Sequence, residues 1–131
     1  NKKIPVYGDG KNIRDWLFVD DHCNAILQTL LNGKTGQSYN ISVGNELDNL
    51  TVIKKILSIM DKPSELIEFV EDRPGHDFRY SLDSSKIRKE LGWSPKINFE
   101  DGIAKTTSWY LSNDLWLDSF PESIMKSTPW K

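Results

Sequence analysis

The chain has 131 residues, a length that is typical of one domain and excludes an enzyme built from two large ones. Hydrophobic residues make up 37% of it and charged residues 27%, which are the values of a globular protein with a real core. Seventeen basic and nineteen acidic residues give a net charge of −2, so no overall positive field is available for nucleic acid or an anionic membrane.

The single cysteine, Cys23, excludes an internal disulfide, and no apolar run approaches the roughly 20 residues of a membrane span. These features predict a cytoplasmic protein that binds neither membrane nor nucleic acid. The sequence opens Asn1-Lys2-Lys3, without an initiator Met or a signal-type apolar segment. That opening suits a piece of a longer protein at least as well as a natural start.

The first residues predict two short strands separated by a turn. Ile4–Tyr7 is a short apolar run, and the turn residues Gly8–Asn12 come directly after it. Extended character resumes over Ile13–Leu17. A helix is expected next, capped by Asp20 or Asp21, because a carboxylate there accepts hydrogen bonds from unpaired backbone N–H groups.

This first helix should end at Asn32-Gly33. The residues that repeat at helical spacing within it are Ala25, Ile26, Thr29 and Leu30. Alternation in Gln37–Val43 then predicts a strand with Tyr39, Ile41 and Val43 on one face.

The second half predicts three more helices and one strand. A helix begins at Asn49 or Thr51 and stops before Lys62-Pro63. Its apolar stripe consists of Val52, Ile53, Ile56, Leu57 and Met60. Ile67–Val70 is a short strand, and a polar loop over Glu71–Arg79 comes after it.

The third helix is capped by Asp83 or Ser84 and ends at Leu91-Gly92, since Pro95 prevents its resumption. The fourth runs from Phe99 or Glu100 to Leu111. Its inward side should carry Ile103, Thr107 and either Trp109 or Tyr110.

These elements predict a small mixed α/β domain with about four helices and short strands, without a Rossmann domain. The domain should cover residues 1–112. Residues 113–131 are expected to form an irregular tail, partly packed on a partner surface, that contains Trp116, Trp130, Pro121 and Pro129.

Two dinucleotide-enzyme motifs fail on local context. Gly8 and Gly10 supply a G-x-G, but Ile13 occupies the third glycine position and the residues after it are strand-like, so the cofactor fingerprint is absent. Tyr7 and Lys11 have the Y-x-x-x-K spacing of a catalytic pair. The glycines between them cannot form the helical turn that would bring the two side chains together.

Metal and nucleophile motifs are also missing. His22, Cys23 and His76 are too few and wrongly spaced for a structural zinc site. No Gly-x-Ser-x-Gly elbow supports a nucleophilic serine.

The loop with the most chemistry is Asp72–Arg79. The guanidinium of Arg73 is planar, permanently charged and matched to phosphate oxygens, and it would be presented from the stiff Pro74-Gly75 turn. The alternative is that Arg73 and Arg79 merely pair with nearby aspartates on a solvated loop. Arg14 is open to the same two interpretations: it could bind a ligand, or it could be an ordinary charged residue of a strand beside Asp15.

Taken together, several segments closely resemble the C-terminal part of the dTDP-glucose 4,6-dehydratases, which are extended short-chain dehydrogenases/reductases. The matching segments are Pro5–His22, Tyr39-Asn40-Ile41, Asp72–Asp77, Arg79-Tyr80 and Leu91-Gly92-Trp93. The Arg14-Asp15-Trp16 run is shared by extended members that handle nucleotide sugars. Asp72–Asp77 with Arg79-Tyr80 is narrower and points to the dehydratases. The resemblance extends from about Ile4 to Leu111.

The resemblance implies a region that closes over the nucleotide sugar dTDP-glucose. The substrate-binding residues it implies are Pro5, Val6 and Tyr7 near the thymine, Arg14, Asn49 and Arg73 on the diphosphate, and His76 beside the phosphates or a ribose hydroxyl. One departure is Ser42-Val43, where relatives often have glycine, which would alter the loop leading to Asn49.

The resemblance also implies that the chemistry belongs to a part of the enzyme absent from this chain. In the family, bound NAD takes a hydride from glucose C4, water leaves across C5 and C6, and the hydride returns to C6. The cofactor glycines, the catalytic tyrosine and lysine and the acid/base carboxylates lie in an N-terminal Rossmann region. The expectation for this chain is therefore no catalytic residue, no cofactor and no activity alone, with that region as a partner domain or chain.

Two alternatives remain open. The chain could belong to another nucleotide-sugar epimerase, dehydratase or decarboxylase, which a preference for UDP over dTDP would reveal. It could instead be a non-catalytic interaction module whose tryptophan-rich tail docks a partner protein, since exposed aromatic residues favour interfaces.

Overall fold

The computed structural model describes residues 2–121, which form five helices and four short strands. This confirms the mixed α/β class and the four helices expected from the sequence. In chain order the elements are β1 (Ile4–Tyr7), β2 (Ile13–Asp15), α1 (Val19–Asn32), β3 (Glu46–Asp48), α2 (Asn49–Ile59), β4 (Ile67–Val70), α3 (Ser85–Leu91), α4 (Phe99–Leu111) and α5 (Asp114–Asp118), with a 3₁₀ turn at Ser64–Leu66. None of these helices is long and apolar enough to span a membrane.

The chain divides into two compact units. The described part of unit 1 comprises residues 2–12, 48–78 and 104–121, and unit 2 comprises residues 13–47 and 79–103. The predicted single domain over 1–112 stays a prediction.

Unit 1 contains the parallel pair β1 and β4, in register from Ile4 beside Ile67 to Tyr7 beside Val70. Helix α2 begins as expected, because the Asp48 carboxylate accepts hydrogen bonds from the backbone N and the Oγ1 of Thr51, both at 2.7 Å. Among the described residues of this unit, the buried apolar side chains are Val6, Val52 and Leu57.

Unit 2 is organised around α1 and α3. Its core consists of Ala25, Ile87 and Trp93. Leu17, Tyr39, Ile41 and Leu91 pack against that core and are themselves partly buried. In a separate two-stranded sheet, β2 pairs with β3, so the two strands around the Gly8–Asn12 turn are not partners of each other.

The strand predicted over Gln37–Val43 is wrong, although the segment contributes Tyr39 and Ile41 to the core. Side chains, not a neighbouring strand, bind several of its backbone groups. The Lys86 ammonium donates to the carbonyl of Ser38 at 2.9 Å, and Arg88 donates to the carbonyls at positions 42 and 43. These bonds satisfy the backbone without a ladder.

The start of α1 also differs from expectation. The helix begins at Val19, and its N-cap Phe18 offers no side-chain acceptor, so neither predicted aspartate is the cap. Asp20 and Asp21 lie in the first turn, where a negative charge still interacts favourably with the helix dipole. Asp21 is buried and accepts a hydrogen bond from the backbone N of Ile97 at 2.9 Å.

The end of α4 carries an aromatic cluster rather than inward-facing rings. Thr107 is buried as predicted, but Trp109 and Tyr110 are exposed, so their predicted inward orientation is wrong. Both rings contact Trp116 of α5, which in turn meets Phe120 edge-on at 4.5 Å between centroids. Helix α5 lies in the segment expected to be irregular, and Trp130 and Pro129 fall outside the described residues.

Acid should destabilise this fold. Glu46 accepts hydrogen bonds from Arg79 at 2.6 and 2.7 Å and from Ser81 at 2.6 Å, and these bonds hold the pKa of Glu46 below its usual value. The unfolded chain therefore binds a proton at Glu46 at a higher pH than the folded chain does, so stability is present above about pH 5 and declines below about pH 4.5. We expect the thermal midpoint, followed by circular dichroism, to fall between pH 5 and 3, and Glu46→Gln to show a shallower fall. A midpoint that rises over this range would contradict the prediction.

Candidate functional site

The candidate site of unit 1 lies where its two parallel strands end. Tyr7 and Val70 are in-register last residues of β1 and β4, and the backbone N of Gly8 donates to the carbonyl of Val70 at 3.0 Å. The loops after these strands, Gly8–Asn12 and residues 71–78, therefore start at the same sheet edge. Ligands of parallel α/β sheets bind outside this carboxyl edge.

Asn12 ties these loops together. It is buried, with 6% of its surface exposed, and its Nδ2 donates to the backbone carbonyl of Asp77 at 3.3 Å. Its own carbonyl accepts from the backbone N of Asn49 at 3.1 Å, at the first residue of α2. Two loops and the N-terminus of α2 thus meet at one place. The sequence reasoning missed Asn12, which has the pattern of an ordinary turn residue.

His76 and Asp72 form a close hydrogen-bonded pair in the loop after β4. His76 Nδ1 lies 2.6 Å from Asp72 Oδ1, and only 6% of the His76 side chain is exposed. The Tyr7 ring stands edge-on to the imidazole, with 6.4 Å between centroids. This hydrogen bond from His76, together with a weaker contribution from the backbone N of Arg73 at 2.8 Å, holds the pKa of Asp72 below its usual value. Asp72 thereby fixes the backbone from which Arg73 projects.

The two arginines of this loop behave differently. Arg79 forms an ion pair with Glu46 within unit 2, and not with the nearby aspartates that the second interpretation of this loop expected. The exposed guanidinium of Arg73 makes no ion pair within residues 2–121. Arg73 therefore presents an exposed positive charge on the loop that carries His76, and its nearest identified counter-charge is the adjacent Asp72 carboxylate, whose pKa it helps to lower.

Pro5 and Val6 occupy different environments. Pro5 is exposed, whereas Val6 is 3% exposed and belongs to the interior of unit 1. A ligand at this edge could touch Pro5 and the half-buried Tyr7 by their side chains, but could reach Val6 only through its backbone.

Arg14 belongs to unit 2 and lines a pocket of about 160 Å³ there. Its guanidinium carbon lies 5.0 Å from the centroid of the Tyr80 ring, a cation–π arrangement. The neighbouring Asp15 carboxylate accepts from the backbone N of Val43 at 3.2 Å and of Gly44 at 2.8 Å, which shapes one wall. Ser42, the departure from the family pattern, lines this pocket and donates to the carbonyl of Leu82.

The described residues offer no cluster of three or more His, Cys, Asp or Glu side chains that could hold a metal ion. The Gly8–Gly10 turn is also unlike a dinucleotide-binding loop. The backbone N of Gly10 is bound to the carbonyl of Tyr7 at 3.1 Å, and a Cβ on Gly10 would lie 2.8 Å from Cγ1 of Val6. Glycine is needed at position 10 because Val6 leaves no room for a side chain, and the backbone N of Gly10 is already bonded within the turn. Gly10 therefore does not form a cofactor-binding loop.

Residues 1–106 match the protein-family model described as GDP-mannose 4,6 dehydratase. The dTDP-glucose 4,6-dehydratase of Xanthomonas campestris is 49% identical over 123 residues, which cover 87% of this chain and 35% of that relative. Crystal structures of dTDP-glucose 4,6-dehydratases from Bacillus anthracis, in complex with NAD, and from Streptomyces venezuelae, with NAD and TYD bound, align with TM-scores of 0.83 and 0.85. Their sequence identities are 45% and 43%, and each alignment covers 88% of this chain and 36% of the other.

The fold matches a portion of solved nucleotide-sugar dehydratases of the short-chain dehydrogenase/reductase class. The chain belongs to the GDP-mannose 4,6 dehydratase family, and its similarity to dTDP-glucose 4,6-dehydratases confirms the resemblance carried by its motifs. It spans about 35% of the length of the relatives it matches.

Proposed function

We propose that this chain is the substrate-binding part of a dTDP-glucose 4,6-dehydratase and holds the dTDP portion of dTDP-glucose. The observation that carries the proposal is the exposed guanidinium of Arg73, which forms no ion pair within residues 2–121 and adjoins the hydrogen-bonded His76–Asp72 pair in the loop after β4. A diphosphate suits such a guanidinium, because its oxygens can accept two parallel charge-assisted hydrogen bonds.

Two other features of unit 1 support an anionic ligand, and a third suits the base. Asn49 is the first residue of α2, where the positive end of an 11-residue helix dipole favours phosphate. The buried imidazole of His76 uses Nδ1 for Asp72, which leaves Nε2 as its other hydrogen-bonding atom. Tyr7 and Pro5 offer an aromatic face and an exposed apolar ring for the base.

Arg14 keeps its proposed role as a phosphate ligand within unit 2. Its guanidinium is held against Tyr80 at the pocket, and the pocket is small enough to suit a phosphate or sugar rather than a whole nucleotide.

The reaction itself is assigned to groups outside this chain. NAD accepts and returns the hydride when it is bound, and the two solved relatives contain NAD. Here Arg73, His76 and Asn49 would bind and orient the nucleotide, and we propose that the chain is inactive alone. The predicted cytoplasmic location stays a prediction.

Calorimetric titration with dTDP tests the phosphate role of Arg73. A charge-assisted hydrogen bond contributes about 1.5–3 kcal/mol, so Arg73→Ala should weaken dTDP binding roughly 10- to 150-fold. Lys54→Ala is the matched control, because Lys54 is an exposed cation of α2 in the same unit and should leave affinity unchanged. Equal heats for wild type and Arg73→Ala would refute the assigned role.

Competition with UDP addresses the epimerase or other-dehydratase alternative, which tighter binding of UDP would favour. Sedimentation addresses the interaction-module alternative. The exposed rings of Trp109 and Trp116 would be the docking surface under that alternative. A monomer that binds dTDP would count against it.

A further inference from the structure

Helix α1 turns its apolar side away from unit 2. Six apolar or thiol-bearing residues recur at helical spacing on its outer side and are all exposed; they are Val19, Cys23, Ile26, Leu27, Leu30 and Leu31, here called the α1 stripe. Leu30 is 78% exposed and Ile26 51%. An ordinary surface helix shows the reverse arrangement, with its apolar stripe inward.

The inner side of α1 is fixed by contacts that a rotation would break. Ala25 is fully buried in the core with Ile87 and Trp93. Asp21 is 5% exposed and its Oδ2 accepts the hydrogen bond from the backbone N of Ile97. Turning the helix to bury Leu30 would leave that N–H unpaired and would expose Ala25. The outward direction of the α1 stripe is therefore built into the fold.

Leaving the α1 stripe in water is costly. Burying one such side chain is worth about 1.5–3 kcal/mol, and monomeric soluble proteins rarely expose contiguous apolar patches beyond a few hundred Å². Asp20 borders the stripe at the N-terminal end of α1, but no Lys, Arg, Asp or Glu occurs from Cys23 to Leu31, so the chemistry of this part fits an apolar surface and not a charged ligand.

The length of the relatives indicates what covers the stripe. The alignments with the two solved dehydratases cover 88% of this chain but only 36% of each dehydratase. In those proteins nearly two thirds of the polypeptide lies outside the matched region, which is ample to cover one helix face. We propose that the α1 stripe is the docking face for the part of the dehydratase fold that this chain does not contain. The inference depends on family membership and not on dTDP binding.

Cys23 provides the test, because it is the one cysteine of the chain and lies within the stripe. The uncovered part of the Xanthomonas campestris relative is joined to this chain, and the rate of iodoacetamide modification is read by mass spectrometry of tryptic peptides. Thr35→Cys adds a reference thiol in an exposed turn on the next tryptic peptide, so that both rates come from one sample. The 131-residue chain carrying the same change is the comparison, at a dilution where sedimentation shows it to be monomeric.

We expect Cys23 to react at least tenfold more slowly in the joined protein, with the rate at position 35 unchanged. Equal rates at Cys23 in both proteins would overturn the proposal. Cys23 protection that appears in the 131-residue chain as its concentration rises, and does not deepen in the joined protein, would assign the stripe to a second copy and also overturn it.

A second measurement does not need the joined protein. The uncovered part is co-expressed with the tagged 131-residue chain, and recovery of the pair is quantified. Leu30→Asp should reduce recovery at least tenfold, whereas Thr35→Asp, the same carboxylate off the stripe, should not. Equal recovery with both variants would refute the docking face, and dTDP titration of the same samples reports separately on the ligand site.

Discussion

Truncation of Ile87 to alanine is expected to cost unit 2 about 2–5 kcal/mol in the free energy of unfolding. Among residues 2–121, Ile87 is the largest fully buried side chain, and from α3 it packs with Ala25 of α1 and with Trp93. Removing its outer carbons leaves a cavity that a close-packed core fills only in part. Since domains have only about 5–15 kcal/mol of stability, the loss should be large in urea unfolding followed by circular dichroism.

Two controls make this prediction specific. Ile87→Val removes one methylene and should cost only about 0.5–1.5 kcal/mol. Ile26→Ala removes the same atoms as Ile87→Ala from the α1 stripe and should change the stability of the 131-residue chain by less than about 0.5 kcal/mol. Ile87 packs against the inner side of α1, whereas Ile26 lies on its outer side. Equal losses of unfolding free energy for Ile26→Ala and Ile87→Ala would therefore mean that these two sides are misassigned.

Local signals were sufficient for the bounds of α3 and α4, but not for the cap of α1 or for α5. α4 spans Phe99–Leu111 as predicted, and its start is fixed by Asn98, whose Oδ1 accepts from the backbone N of Asp101 at 2.9 Å. α3 ends at Leu91 because glycine comes next and proline prevents continuation. In both cases the determining residues lie within one or two turns of the boundary, so the sequence alone contains the information.

The buried side of α1 could not be predicted in the same way. Helical periodicity places Ala25, Ile26 and Leu30 relative to one another but does not say which side the rest of the chain covers. The decision comes from Asp21, whose carboxylate is satisfied by a backbone N–H 76 residues away in sequence. No local pattern encodes such a partner. The predicted strand over Gln37–Val43 failed for a similar reason, because side chains from α3 bind its carbonyls.

For the candidate site, the chemistry of the side chains indicated which residues to consider, but the sequence did not predict where those residues lie in the fold. Arg73 and His76 stand out because a guanidinium and an imidazole flank a rigid turn. Their placement depends on the parallel pairing of β1 with β4, two segments about 60 residues apart, and on the buried amide of Asn12. Sequence reasoning had no signal for either, since parallel strands are joined by long connections.

Replacing Gly10 by alanine is expected to destabilise unit 1 by about 2–5 kcal/mol. Gly10 has φ +72°, a left-handed conformation that costs other residues about 1–2 kcal/mol. The added Cβ would lie 2.8 Å from Cγ1 of Val6 and 3.1 Å from Cβ of Leu50, and such overpacking costs about 1–3 kcal/mol more. Since Val6 is buried in β1, the loop must move instead.

That movement should also weaken dTDP binding. The carbonyl of Gly10 accepts from the backbone N of Leu50 at 3.0 Å, so a displaced loop pulls on the first turn of α2, where Asn49 lies. Gly36→Ala is the matched control, because Gly36 has φ +76° but no atom within 4 Å of its added Cβ. Gly36→Ala should cost only the left-handed strain, about 1–2 kcal/mol, and leave dTDP affinity unchanged. Equal losses of stability in the two variants, measured by urea unfolding, would show that the close packing of Gly10 against β1 and α2 does not exist.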